Sequence, residues 1–105
     1  MLRIHDVMLD AITAMCPMVR AIERHDRDLA SQLRRAASSV VLNIAEGSGS
    51  FGGVRTQRYR TALGSARETV ACLLVAERFG YVEAMPDVLV ARMNRVVGTL
   101  VRVAV

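Results

Sequence analysis

Four stretches of this chain carry apolar side chains three and four residues apart, and only short polar, glycine-rich or proline-marked joints separate them. That spacing constrains the fold more than any other feature, because it is the period of a helix and suits packed helices better than a sheet. In residues 4–22 the face is Ile4, Val7, Met8, Ala11, Met15, Met18 and Ile22. Pro17 interrupts it, and its missing donor and ring clash predict a kink or local break over residues 14–18 without ending the helix. His25, Asp26, Arg27 and Asp28 form a polar joint in which Asp26 or Asp28 is placed to cap the next helix.

The second stretch has the clearest stripe: Leu29, Leu33, Ala36, Ala37, Val40, Val41 and Ile44. GSGSFGG follows at residues 47–53 and reads as a loop, with Gly47 suited to the left-handed turn after a helix. A third helix is predicted from near Val54 to Phe79, with Gly80 as its stop. Its stripe runs through Tyr59, Ala62, Leu63, Ala66, Val70, Leu73 and Leu74, and residues 70–76 are apolar all round. Ala62, Gly64, Ser65 and Ala66 are small, which suits close approach of a neighbouring helix. Pro86 and Asp87 open a fourth helix whose stripe is Val88, Leu89, Val96, Leu100 and Val103. Met93, Val97, Val101 and Ala104 widen that stripe beyond one core face. Connections this short make consecutive helices antiparallel neighbours. The expected fold is all-α: one domain over residues 1–105, an antiparallel up-down-up-down four-helix bundle.

Composition adds a demand for further burial. Mean hydropathy is +0.29, high for a chain of 105 residues that leaves much of its surface wet. No apolar run approaches the roughly 20 residues of a spanning helix. The start, MLRIHDVMLD, is broken by His5, Asp6 and Asp10, unlike a signal peptide. A cytoplasmic chain with its surplus at a subunit interface is therefore expected, a homo-oligomer in which the fourth helix meets a second partner. Cys16 and Cys72 lack metal or redox spacing and read as small hydrophobes in a reducing compartment.

Catalytic constellations are missing from the sequence. His5 and His25 have no partner at a ligating or catalytic spacing, and GSGSFGG has neither a preceding strand signal nor a following lysine. No enzyme activity, cofactor or metal is expected. Two polar groupings stand out instead. Ser39, Asn43 and Glu46 share one side of the second helix, Ser65 and Glu68 form a similar pair on the third, and Arg35, Arg60 and Arg67 lie near. Polar groups between packed helices must be paired, so these read as a structural network, with positioning of an anion or nucleic-acid phosphate as the alternative and carboxylate catalysis as a third reading.

The second grouping is arginine. All 14 basic residues are arginines, which lifts the isoelectric point to about 10.0 while the net charge is only +4. Residues 1–52 are neutral, so residues 53–105 carry the whole excess. Arg55, Arg58 and Arg60 crowd the start of the third helix, and Arg92, Arg95 and Arg102 line the fourth. These six are candidate phosphate contacts for RNA or DNA, with solvated faces paired to carboxylates as the alternative. Phe51, Tyr59, Phe79 and Tyr81 are too scattered for a base-stacking platform, so such binding would be backbone-directed and salt-sensitive.

The run QLRRAASSVVLNIAEGSG, followed by ALGSARET and ERFGY, resembles the four-helix-bundle family named for proteins encoded in intervening sequences of large-subunit rRNA genes. Relatives of that family include the accessory protein of diversity-generating retroelements. The resemblance implies an antiparallel bundle assembling into rings, with five subunits expected. It also implies, for the retroelement relative, a reverse transcriptase partner and nucleic-acid binding through a basic surface. The motif positions here are Arg35, Ala36, Asn43, Ile44, Ala45, Glu46, Gly47, Gly64, Ser65 and Glu68. RTQRYR stands where the family has an apolar and aromatic pattern, and lysine is absent. The expected role is a non-enzymatic, ring-like scaffold or binding module, with a nucleic-acid-binding accessory protein as the alternative.

Overall fold

The structure, a computed structural model, describes residues 2–105 and contains four helices: α1 (Ile4–His25), α2 (Arg27–Ser48), α3 (Gly52–Arg78) and α4 (Asp87–Val103). At about 1.5 Å per residue, α3 alone spans nearly the whole 42 Å length of the molecule. Neighbours pack in the cyclic order α1–α2–α3–α4–α1, so each helix touches the next and α4 closes back on α1. Contacts between neighbours run in opposite senses. Ser39 of α2 meets Ser65 of α3, whereas the later Glu46 meets the earlier Arg58. Likewise Arg92 of α4 reaches the carbonyl of Asp10, while the later Arg102 lies across a groove from Arg3. α2 and α3, and likewise α4 and α1, therefore run antiparallel.

The predicted stripes form the core except at Leu74 and Val88, which face outward. Met8, Met15 and Ile22 from α1 pack with Leu33, Val40 and Ile44 from α2, Leu73 from α3, and Leu89, Val96 and Leu100 from α4. Each aliphatic side chain so buried contributes roughly 1.5–3 kcal/mol relative to exposure. Thr69 is the one fully buried polar side chain among the described residues, and its hydroxyl donates to the Ser65 carbonyl at 2.8 Å.

The joints follow from local chemistry. Asp26 alone links α1 to α2: its backbone N–H donates to Ile22 O, and its carboxylate accepts from Leu29 N at 3.0 Å. Such a cap stabilises a helix by about 1 kcal/mol. Gly80, at φ 76°, ends α3 in a left-handed turn, with Gly80 N–H on Glu77 O and Tyr81 N–H on Ala76 O. Pro86 immediately precedes α4, and its carbonyl accepts from Leu89 and Val90.

Two local expectations change. α1 continues through Pro17 with no break in the helix, since packing of Met15, Met18 and Val19 in the core holds it across the one missing donor. Gly47 is not a left-handed turn. It lies inside α2, which continues to Ser48, and the left-handed glycine of the loop is Gly52, at φ 54°. The reason is tertiary. A Cβ on Gly47 would lie 2.5 Å from Cε1 of the buried Tyr59 ring, so glycine is required for α3 to approach α2. Gly64, also helical, has nothing within 4 Å of its would-be Cβ.

These two glycines predict opposite signs. Gly47→Ala should cost about 1–3 kcal/mol through overpacking against Tyr59. Gly64→Ala should stabilise the protomer by up to about 1 kcal/mol through helix propensity. Urea unfolding at matched protein concentration checks both, and a wild-type midpoint for Gly47→Ala would mean that the Tyr59 ring steps aside freely.

Candidate nucleic-acid interface and polar network

The polar network forms between α2 and α3, although only part of the expected set joins it. The Ser39 and Ser65 hydroxyls lie 2.7 Å apart, and Asn43 Nδ2 donates to the Ser39 carbonyl at 2.9 Å and to its hydroxyl at 3.1 Å. One turn on, Glu46 pairs with Arg58 at 2.8 Å across the same seam. Arg35 instead donates to Ser31 within α2, and Glu68 is exposed, with no hydrogen-bond or ion-pair partner among the described residues. Ser39, Asn43 and Ser65 are half-buried and satisfy one another, which is the behaviour of helix-packing groups.

The six candidate arginines separate into two sets. Those at the start of α3 are engaged with the bundle itself. Arg55 Nε donates to the carbonyls of Ser50 (2.9 Å) and Gly47 (3.3 Å), and its guanidinium lies over Phe51. Arg58 pairs with Glu46, and Arg60 Nε donates to Ala104 O at 3.1 Å, closing the C-terminal end of α4. The α4 arginines are freer. Positions 88, 92, 95, 99 and 102 recur at spacings of four and three, so Arg92, Arg95 and Arg102 share a stripe facing α1. Arg92 makes one long contact of 3.4 Å to Asp10 O, and Arg102 Nη2 donates to Thr99 Oγ1 at 3.3 Å.

Sequence reasoning missed two features. Arg3 joins the α4 stripe across the α1–α4 seam, though it belongs to the electrically neutral half of the chain. Antiparallel closure, which puts the start of α1 beside the end of α4, was the available signal. Second, Phe79 and Tyr81 are not scattered. Their rings stack at 5.4 Å, and Tyr81 stacks in turn on His25 at 5.0 Å and 6°, making a three-ring column at the opposite end of the bundle. Among the described residues no group of three potential metal ligands comes together, and no helix is long and apolar enough to cross a membrane.

Two ionisable groups respond to this packing. The Glu23 carboxyl is held below its ordinary value by the Arg34 hydrogen bond and charge, 2.8 Å away across the α1–α2 turn. The Cys72 thiol is pushed up, first by burial and then by the Glu68 charge. Folding therefore favours the protonated thiol. This contribution is complete below the unfolded thiol's pKa of about 8.5 and is lost as pH rises above it. Unfolding free energy should fall more steeply above that pH in the wild type than in Cys72→Ala, and parallel pH profiles would refute the assignment. Cys72 should also alkylate more slowly than the less buried Cys16.

Neither the curated proteins nor the solved structures contain a match to this chain. A family match does exist, extending over all four helices: the family described as 23S rRNA-intervening sequence protein matches residues 7–101. The chain belongs to the 23S rRNA-intervening sequence protein family.

Proposed function

We propose that this protein acts by assembly rather than by catalysis, as a cytoplasmic homo-oligomeric bundle that serves as a scaffold or binding module. One observation carries the reading: the protomer leaves its apolar surplus outside. Large exposed apolar side chains concentrate in the second half, with Leu74, Val75 and Phe79 around the end of α3 and Val90 and Val101 on α4. Val90, Val97 and Val101 recur at spacings of seven and four, forming a stripe on the flank of α4 opposite its arginines. Leu74, Val75 and Phe79 line one shallow hollow with Arg78. Patches of this kind on a small chain are what a subunit interface buries. A ring is the arrangement preferred here, with five subunits, because the family resemblance implies it and α3 presents an uncovered face beside Gly64.

A specific observation favours a second reading, contact with the phosphate backbone of nucleic acid. The arginines of α4 lie on a seam where, among the described residues, none of them has a carboxylate partner. A family named for a 23S rRNA intervening sequence is consistent with such contact.

Sedimentation decides the first reading. The protein should sediment at a mass several times its 11.5 kDa protomer at micromolar concentration. Leu74→Glu combined with Val101→Glu should shift it towards the protomer with helicity retained. A strict wild-type monomer would overturn the assembly. For the second reading, unchanged mobility of both duplex and single-stranded probes at low salt would count decisively against it.

A further inference from the structure

We propose that the α1–α4 seam is a binding site for a phosphate group carried on a larger ligand, held by Arg3, Arg95 and Arg102. This rests on the second reading above and narrows it from a basic surface to one groove. The groove has a cavity volume of about 530 Å³. The groove is open to solvent along one side, so it leaves room for a phosphate together with the group that carries it. Three guanidinium groups line it and no carboxylate does. Of the acids on α1, Asp6 points into solvent with its carboxylate 3.6 Å from His5 Nδ1, and Asp10 lines the next hollow along the seam with Arg92 and Arg95 without forming an ion pair with either.

The arginines are not needed there for the fold. The C-terminal end of α4 would attract a cation through its dipole, but Arg60 already donates to Ala104 O. The side chains of Arg3 and Arg95 make no hydrogen bond or ion pair among the described residues. Three like charges lining one groove repel, and an anion placed among them relieves that repulsion. Arg102 is partly pre-positioned, bent back along α4 onto Thr99 Oγ1. Gly98 leaves space beneath it, since the nearest atom to a would-be Cβ is Arg102 Nη1 at 3.9 Å. Buried Ile4 gives the groove an apolar floor, which weakens solvent screening of the charges above it.

The chemistry recognised is a phosphate ester, whether a terminal monoester or an internal diester of a strand. The test is titration of the full chain with adenosine 5′-monophosphate, adenosine, and short single-stranded RNA with and without a 5′-phosphate, at low and moderate salt. Adenosine should not bind. Binding of the monophosphate, with preference for 5′-phosphorylated RNA, identifies a monoester site; equal binding of both RNAs without the monophosphate identifies the diester backbone. Arg95→Ala and Arg102→Ala should each weaken binding by about tenfold or more. Gly98→Leu adds no charge change and sits at an open helical position, so it should fold and also weaken binding by filling the groove. Arg55→Ala and Arg58→Ala should not. RNA binding that survives both Gly98→Leu and the double variant Arg95→Ala, Arg102→Ala overturns the groove and leaves the second reading standing. No binding of any phosphate ligand at low salt removes both.

Discussion

Close approach of α2 to α3 is the constraint on which the rest of the bundle depends. These two helices form the most extensive pair, and small groups line their contact. Gly47 yields its side-chain space to the Tyr59 ring, and the Ser39 and Ser65 hydroxyls meet at 2.7 Å, which side chains this short reach only when the two helix backbones are close. With that distance fixed, Leu33, Val40 and Ile44 are brought against Leu73, and α1 and α4 complete the core with methionine and branched aliphatic groups. A chain with no tryptophan and two phenylalanines cannot fill a wide interior with large rings. Narrow helix spacing is its alternative route to native packing density.

Helix periodicity announced the four elements and most of their inward faces, because burial of one face is what the period encodes. The Asp26 cap and the Gly80 stop were equally visible, each being a local rule about a single residue. Gly47 was misplaced because a glycine near a helix end resembles a cap, and the ring that requires it comes from another helix. Leu74 illustrates the opposite limit. Its place in an apolar run suggested burial, yet in the protomer it faces out, since periodicity identifies apolar surface without saying which partner covers it.

The candidate arginines were legible as residues and not as groups. Charge counting drew attention to the second half of the chain, where Arg55, Arg58 and Arg60 turn out to be engaged with Glu46 and backbone carbonyls. It passed over Arg3, whose half of the chain is neutral, although the antiparallel closure of α4 on α1 sets it beside Arg95 and Arg102. The ring column of His25, Tyr81 and Phe79 was hidden for the same reason: its members are brought together by the α3–α4 turn folding over the end of α1.

The single-residue joint at Asp26 also bears on the order in which the bundle forms. Two helices separated by one residue meet with almost no loop-closure entropy, so the α1–α2 hairpin is the most local unit of the fold. The α1–α4 seam is the reverse case, since Arg92 touches a carbonyl 82 residues earlier in the chain. Contacts of that separation are the last to be repaid during folding, and partial opening of the molecule releases them first. The basic groove therefore exists only when the whole bundle is closed, and a half-folded chain would carry the same arginines with no groove between them.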